Sequence, residues 1–573
     1  MQFIDFEVFL CDWLCVIINS DERHTEVIIN DRAKLSEYYE AHKDDIWVGF
    51  NIRHYDQCIF KAILLGMNPK KVNDFIIIGG NEGWRYSDEF RSIPLYFYDV
   101  MNNVDRGLKY FEGSMGSNIK ESSVPFNIPR KLTAEELDET IRYCTHDVEQ
   151  TMEVFARRID DFKAQLGLLK MFNLPLSEIS KTKVQLSAKI LGAEKRSYHD
   201  EFDIDIPDTL RVKRYTAVVN WYLDPTNRDY EKSLDIQIAG VPHSFGWGGV
   251  HGSIDGYVGE GHFINMDVAS LYPSLMIRYD LISRSCHAEK FKEIVDTRLK
   301  YKAEKNPLQA PLKIVINGTY GASKDKNNPL YDPRQANRVC VYGQLLLLDL
   351  IEHLEDAGAE IIQSNTDGVL VRMPDGYQGG INQFYKDIDD VAYEWEQRTG
   401  LNLEFDEYCK VYQGDVNNYL IIAEDGHWKS KGAYLKKLSD LDYDLAIVNE
   451  AVVENLLHDT PVERTIYGCN ELKKFQLVKR ISQKYRTLLL GKKEIPERCV
   501  RVFASISLIA PTLYKTHVNG RTSKVEGTPE HCFLDNDDMT GKKVPPELDR
   551  RWYIAIANDR LAKFKRKKET TLL

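Results

Sequence analysis

Two acidic segments, a hundred residues apart, restrict this chain more than any other feature of it. Asp267 closes the apolar stretch Phe263-Ile-Asn-Met-Asp267 and opens Asp267-Val-Ala-Ser-Leu-Tyr-Pro-Ser274, while Asp367 lies in Ser364-Asn-Thr-Asp-Gly368 between two apolar arms. The first reads as a strand ending at its carboxylate, the second as a β-hairpin with Asp367 at its tip. Carboxylates carried on separate strands and brought together can hold a pair of divalent cations. Such a pair stabilises both the attacking and the leaving oxygen of a phosphoryl transfer.

At 573 residues the chain exceeds a single hydrophobic core, so several domains are predicted. A hydrophobic content of 43% and a charged content of 28% are those of an ordinary soluble globular protein. The N-terminal stretch lacks a basic leader and contains Asp5, Glu7 and Asp12, which argues against a secretory signal. The apolar run Val502 to Tyr514 is too short to span a bilayer and is broken by Pro511, so no membrane partner is expected. Ten cysteines without a C-x-x-C pair argue against a zinc ribbon or a disulfide framework and suit reduced thiols in a cytoplasm. The net charge of −12 is a global sum, whereas nucleic-acid binding depends on local patches. Basic clusters at Lys473-Lys474, Lys479-Arg480, Lys484 to Arg486, Lys492-Lys493 and Lys563 to Lys568 crowd the last hundred residues and predict a DNA-gripping region. No internal repeat or low-complexity tract is present.

Near the N-terminus, Phe3-Ile-Asp-Phe-Glu-Val-Phe9 reads as a strand from which Asp5 and Glu7 project to the same side. Trp47 to Phe50 is a second strand, and Asn51-Ile-Arg-His-Tyr-Asp56 leads into a helix. Thr133-Ala-Glu-Glu136 is a capping box opening a helix on which Tyr143 and Asp147, four apart, share a face. Four carboxylates and a tyrosine from three elements resemble the DEDD 3′–5′ exonucleases of the tyrosine subclass. That resemblance implies that Asp5, Glu7, Asp56 and Asp147 hold two metal ions and that Tyr143 orients the attacking water. The histidine subclass needs a histidine where Arg142 stands, and His146 reads as incidental.

The segment at Asp267 resembles motif A of the family B DNA polymerases. In that family the carbonyl following the aspartate, here Val268, also touches a metal, and Tyr272 would stack beneath the deoxyribose and exclude a 2′-hydroxyl. Lys313-Ile-Val-Ile-Asn-Gly-Thr-Tyr-Gly321 resembles motif B, with Pro311 where a helix can begin and Lys313, Asn317 and Tyr320 on one face. Lys313 would meet the triphosphate, Asn317 and Tyr320 the nascent base pair. Gly318 stands where the family has serine. Upstream, Arg298 and Lys302 resemble the basic pair that grips incoming phosphates. Motif C is usually D-T-D-S; this chain has Asn365-Thr-Asp-Gly368, retaining the second aspartate, which is the family's essential metal ligand. Gly248 and Gly249 resemble the Y-x-G-G connector that touches template, and Lys431 and Tyr434 the K-x-Y element that holds the primer terminus.

The resemblance implies an α+β multidomain chain. A ribonuclease-H-like exonuclease domain (1–180) comes first, then a connector and palm entry (181–255). A right-hand polymerase follows, with palm (256–288 and 326–434), fingers (289–325) and a thumb with a basic C-terminal region (435–573), the last read as helix-rich. It implies template-directed DNA synthesis from a primer 3′-hydroxyl, with 3′–5′ proofreading of frayed ends. Two Mg²⁺ ions per active site, or Mn²⁺, would serve it. Primer–template DNA and dNTPs are the expected partners, with replisome proteins possible, for a monomer. Fifty residues separate Asp267 from Asn317 and fifty more lead to Asp367, leaving no room for the insertions of protein-primed phage polymerases. A compact phage or plasmid replicase acting in the bacterial host cytoplasm is the preferred expectation. Protein priming, a DNA-binding relic and a nuclease with a non-catalytic polymerase fold are the alternatives.

Overall fold

The computed structural model describes residues 1–102, 104, 106–374 and 383–565. The chain is mixed helix and sheet and divides into two compact units. One gathers Met1–Thr182, Lys437–Val448 and Glu463–Ala555; the other gathers Lys183–Lys436, Asn449–Val462 and the chain from Ile556.

The first unit opens with β1 (Gln2–Val8), β2 (Trp13–Asn19), β3 (Thr25–Ile29), β4 (Ile46–Gly49) and β5 (Tyr96–Asp99), which form a sheet in the order β3-β2-β1-β4-β5. β1 runs antiparallel to β2 and parallel to β4. Alternation along β1 sends Ile4, Phe6 and Val8 into a core with Trp47, Ile59 and Phe60. Phe3 points the other way and meets Phe155 edge-on at 5.3 Å. Phe155 lies on the helix Ala134–Arg157, which Thr133 and Glu136 cap reciprocally. This helix therefore covers the face that also carries Asp5 and Glu7.

The second unit is built on nine strands: β6 (Ser233–Ile238), β7 (Val241–Gly246), β8 (Gly249–Ser253), β9 (Tyr257–Val268), β10 (Glu360–Ser364), β11 (Gly368–Arg372), β12 (Leu403–Asp415), β13 (Asn418–Ile422) and β14 (Trp428–Lys431). Their order is β14-β13-β12-β9-β11-β10-β8-β7-β6, so β9 lies inside the sheet between β12 and β11. Phe263, Ile362, Leu370, Tyr408, Val411 and Ile421 pack together across it. The helix Pro333–Asp356 starts with Asp332 as cap and proline in its first turn and is buried along most of its length. Its Asp349, fully buried, is bonded by Arg398 at 2.8 Å.

After Tyr434 the helix-rich reading is corrected. Helices Ala446–His458, Val462–Gly468 and Arg550–Lys565 bracket β15 (Leu477–Arg480), β16 (Tyr485–Leu490), β17 (Lys493–Ile495), β18 (Cys499–Ala504), β19 (Leu513–His517), β20 (Thr522–Lys524) and β21 (Cys532–Leu534). β15, β18 and β21 make one sheet, and β16, β17, β19 and β20 another. The β-branched and aromatic residues of segments such as Cys499-Val-Arg-Val-Phe-Ala504 carry the strand signal, which the neighbouring lysines and arginines obscured. Residues 566–568 of the basic tail lie outside the described residues. The ten cysteines are free thiols. Among the described residues, no helix is long and apolar enough to cross a membrane.

Candidate functional site

Each unit holds a carboxylate centre. In the first, Asp5 and Glu7 on β1 and Asp147 on the Ala134–Arg157 helix each offer an oxygen within 4.8 Å of the others. Asp56, first residue of the helix Asp56–Leu64, is 2% exposed, and its Oδ1 has no hydrogen-bond partner. Burial and then the Asp147 charge push Asp5 up to about 7. Burial holds Asp147 at about 6 and raises Glu7 and Asp56 well above the usual carboxylate range. Clustered hard oxygen donors, one of them orphaned in the interior, fit a divalent cation such as Mg²⁺ or Mn²⁺.

Lys109 was not singled out by the sequence reading. Its Nζ donates to Asp147 Oδ1 at 2.7 Å and to Glu112 Oε2 at 3.0 Å, and lies 4.6 Å from the Tyr143 ring centroid. Burial alone would depress this ammonium, yet the charges of Asp147 and Glu112 outweigh it and raise Lys109 above its ordinary value. His146, read as incidental, donates from Nε2 to the Asn118 carbonyl at 2.9 Å and lies 3.6 Å from the Glu112 carboxylate. That carboxylate raises the imidazole's pKa. Helix Leu108–Met115, which carries Lys109 and Glu112, is pinned at its C-terminal end by Arg501. The buried guanidinium donates to the carbonyls of Gly113 at 3.2 Å, Asp537 at 2.8 Å and Ser117. Burial lowers Arg501 to about 10. Asp99 was missed as well. It accepts from the backbone N–H groups of Asn51 at 2.9 Å, Arg53 at 3.1 Å and Met101 at 2.9 Å, so it shapes the loop that delivers Asp56.

In the second unit, β9 and β11 pair so that Asp267 faces Gly368, and the Val268 N–H donates to the Asp367 carbonyl at 2.7 Å. Asp367 thus lies in the turn immediately before β11, one step from the residue that Asp267 faces. Burial and then the Asp367 charge raise Asp267 to about 6, while Asp367 itself is exposed. Asn265 donates to Asp267 Oδ2 at 2.7 Å. The approach is close enough that a Cβ at Gly368 would come within 2.0 Å of Asp267 Oδ1. Asn365 closes the hairpin: its Oδ1 accepts from the N–H groups of Asp367 at 3.0 Å and Gly368 at 2.9 Å. An aspartate at 365 could make the same turn, so the asparagine removes one charge and keeps the geometry.

Beside these aspartates is a cavity of about 440 Å³ lined by Tyr272, Arg298, Lys313, Asn317, Tyr320, Asp367 and neighbours. Left-handed Ser270, at φ +50°, turns the chain from β9 into the helix Leu271–Arg278 and so presents Tyr272. Tyr272 and Tyr320 stand with ring centroids 4.3 Å apart. Lys313, Asn317 and Tyr320 lie on the helix Gln309–Ser323, which starts two residues before Pro311, and Arg298 on the helix Ala288–Ala303. The Arg298 Nε is buried without a hydrogen-bond partner. Lys302 does not line the cavity; it is exposed, 3.8 Å from Glu404. Gly318 is where this helix meets the helix Lys183–Ile190: a Cβ there would lie 2.6 Å from Ser187 Oγ. A serine at this position would compete with Ser187 for that space.

Val268 is the buried last residue of β9. Gly248 and Gly249 sit at the turn of the β7–β8 hairpin, where Gly246 pairs with Gly249. A Cβ on Gly249, whose φ is +153°, would lie 3.5 Å from Thr366 Oγ1 in the motif C turn. Lys431 ends β14, and Tyr434 follows it, half-buried, with Arg560 and Lys563 at its ring.

No family model matches the chain. It is 22% identical over 447 residues to DNA polymerase 1 of Saccharolobus solfataricus, a match covering 68% of this chain and 46% of that protein. It is 26% identical over 145 residues to DNA polymerase 1 of Sulfurisphaera ohwakuensis, covering 25% of this chain and 16% of that protein. Over 133 residues it is 28% identical to DNA polymerase 1 of Sulfolobus acidocaldarius, covering 23% and 14%. The chain spans less than half the length of these curated relatives. Among solved structures, the family B DNA polymerase of Pyrobaculum calidifontis matches with a TM-score of 0.43 and 16% identity, covering 100% of this chain and 78% of that one. By sequence the chain is thus similar, at low identity, to proteins named DNA polymerase 1.

Proposed function

We propose that this chain is a DNA-directed DNA polymerase that extends a primer 3′-hydroxyl and removes mispaired ends with a 3′–5′ exonuclease. The observation that carries the reading is the gathering of Tyr272, Arg298, Lys313, Asn317, Tyr320 and Asp367 around one cavity, with Asp267 on the adjacent strand. Arg298 and Lys313 supply positive charge for a triphosphate, and the buried, unpartnered Nε of Arg298 favours an anionic occupant. Tyr272 and Tyr320 bring aromatic rings to the same space, suited to the sugar and base of a nucleotide. Asp267, Asp367 and the Val268 carbonyl would hold Mg²⁺ or Mn²⁺ in pairs, as would Asp5, Glu7, Asp56 and Asp147. Bound there, the ions would lower the pKa of the attacking hydroxyl or water and neutralise the departing oxygen.

In the first unit Tyr143 orients the attacking water, and Lys109 holds Asp147 in place. Gly248, Gly249, Lys431 and Tyr434 contact DNA through its backbone, so binding is largely sequence-neutral and falls with salt. Replication of phage DNA from an ordinary nucleic-acid primer is the setting we favour; protein priming would need insertions between the motifs that this chain lacks.

Primer extension on a primed single strand, with Mg²⁺ and with or without dNTPs, tests the proposal. The parent lengthens the primer with dNTPs and shortens it without them. Asp267→Ala abolishes only lengthening and Asp5→Ala only shortening. A folded parent that does neither overturns the reading and favours a DNA-binding relic.

A further inference from the structure

Three residues from three adjacent strands of the nine-stranded sheet stand in one row. His243 on β7 pairs with Gly252 on β8, and Gly252 pairs with Ser364 on β10. Residues directly opposite one another share a face of the sheet, so the row projects to one side. Strands two places apart lie roughly 9.5 Å from each other, too far for their side chains to meet over an ordinary residue. Here the middle residue is glycine. The His243 ring lies over it, and a Cβ at Gly252 would come within 2.3 Å of Cδ2 and 2.4 Å of Nε2. Gly252 is not left-handed, so what it supplies is space. Through that gap His243 Nε2 reaches Ser364 Oγ at 2.7 Å.

The bond has a fixed direction. The Val241 carbonyl, 2.9 Å from His243 Nδ1, can only accept, so the ring proton lies on Nδ1. Nε2 is then the acceptor and the Ser364 hydroxyl the donor. His243 is 2% exposed and Ser364 0%, so neither group has water to fall back on. Burial lowers the imidazole's pKa and keeps the ring neutral, as this pairing requires.

Ser364 is the last residue of β10 and leads directly into the turn that carries Asp367. The β10–β11 register shifts between Ile361 and Gln363, and irregularities of this kind re-aim the strand end that follows. Pairing before the shift therefore does not dictate where the turn starts; the serine bond acts just beyond it. We infer that His243 is a positioning residue for nucleotide addition: across the glycine of β8 it holds Ser364, and with it the turn that sets Asp367 beside Asp267. The inference rests on the reading of the chain as a DNA polymerase, and it adds a residue to which that reading assigns no part.

The full chain and its variants are compared in single-turnover primer extension, with active molecules counted, and in hydrogen exchange of the segment 361–372 in chelator. Ser364→Ala removes one buried oxygen and leaves the strand intact. It should slow addition about 10- to 100-fold and raise the Mg²⁺ needed for half-maximal rate by a similar factor. The dNTP requirement should stay at the parent's, since Lys313 and Arg298 are untouched. Exchange in the segment should quicken about tenfold, the worth of one hydrogen bond. His243→Ala should match Ser364→Ala, and the double variant should lose no more than either. Gly252→Ala should evict the ring and reproduce the defect, yet do no harm in the His243→Ala background, where the space is free. A parental rate and Mg²⁺ requirement in Ser364→Ala, or losses in the two single variants that add, overturns the positioning role. So does a defect confined to the fraction of active molecules, which marks a merely structural bond. A parent that extends no primer overturns the polymerase reading and with it this role, whatever the exchange of the segment shows.

Discussion

Lys109→Met removes the ammonium that ties the carboxylate centre of the first unit together. Lys109 is 13% exposed as a side chain, and its partners are scarcely more accessible, with Glu112 at 0% and Asp147 at 12%. Methionine is close in length and fills the stem's space, so the change is mainly electrostatic. Truncating one member of a buried ion pair costs about 3–5 kcal/mol, because the other is left charged and uncompensated. The magnitude should depend on pH. Asp147, at about 6 with Lys109 present, rises further without it, so the folded variant binds that proton more tightly than the unfolded chain does. The penalty is therefore full at neutral pH and shrinks as pH falls through that range. Native-state hydrogen exchange of the helix Ala134–Arg157, in chelator, isolates this effect from unfolding elsewhere in a chain of two units. Adding Glu112→Gln should recover part of the loss, since one of the stranded charges goes with it. A destabilisation below about 1 kcal/mol at neutral pH, against the 3–5 kcal/mol of a buried pair, would show that Lys109 is not the tie.

Gly318→Ala gains about 1 kcal/mol of helix propensity but overpacks against Ser187 at a cost of about 1–3 kcal/mol. Alone it should destabilise the helix Gln309–Ser323, and in a Ser187→Ala background it should stabilise it; equal effects in both, by hydrogen exchange, would sink the packing argument. Asn365→Ala should lose about 1–3 kcal/mol of local stability with its two turn bonds, while Asn365→Asp stays within about 0.5 kcal/mol of the parent. Exchange of the Gly368 amide reads this directly. Asp5 at about 7 and Asp147 at about 6 bind protons more tightly folded than unfolded. Chelated protein should therefore lose stability as pH rises from about 4 to about 7, and Mg²⁺ should reverse the loss at neutral pH. Denaturant unfolding that shows stability increasing over that interval would contradict the assignment of raised carboxylates.

Some of this was legible because the chemistry is local. Alternation on β1 puts Asp5 and Glu7 on one side, and a four-residue step puts Tyr143 and Asp147 on one helix face, whatever surrounds them. The capping box at Thr133 and the hairpin around Asp367 likewise depend only on near neighbours in the chain. The C-terminal strands were misread because their basic residues masked a short period-two pattern.

What the residues alone determined is which carboxylates, cations and rings lie on a common face of their own element. The tertiary structure decided which of those faces meet. Lys109, Asp99, Arg501 and Ser187 carry no sequence signal, since each acts on a residue between 38 and 389 positions away or across a helix packing that only folding creates. A side chain's role there depends on burial and on the partner it finds, and both are properties of the packed molecule.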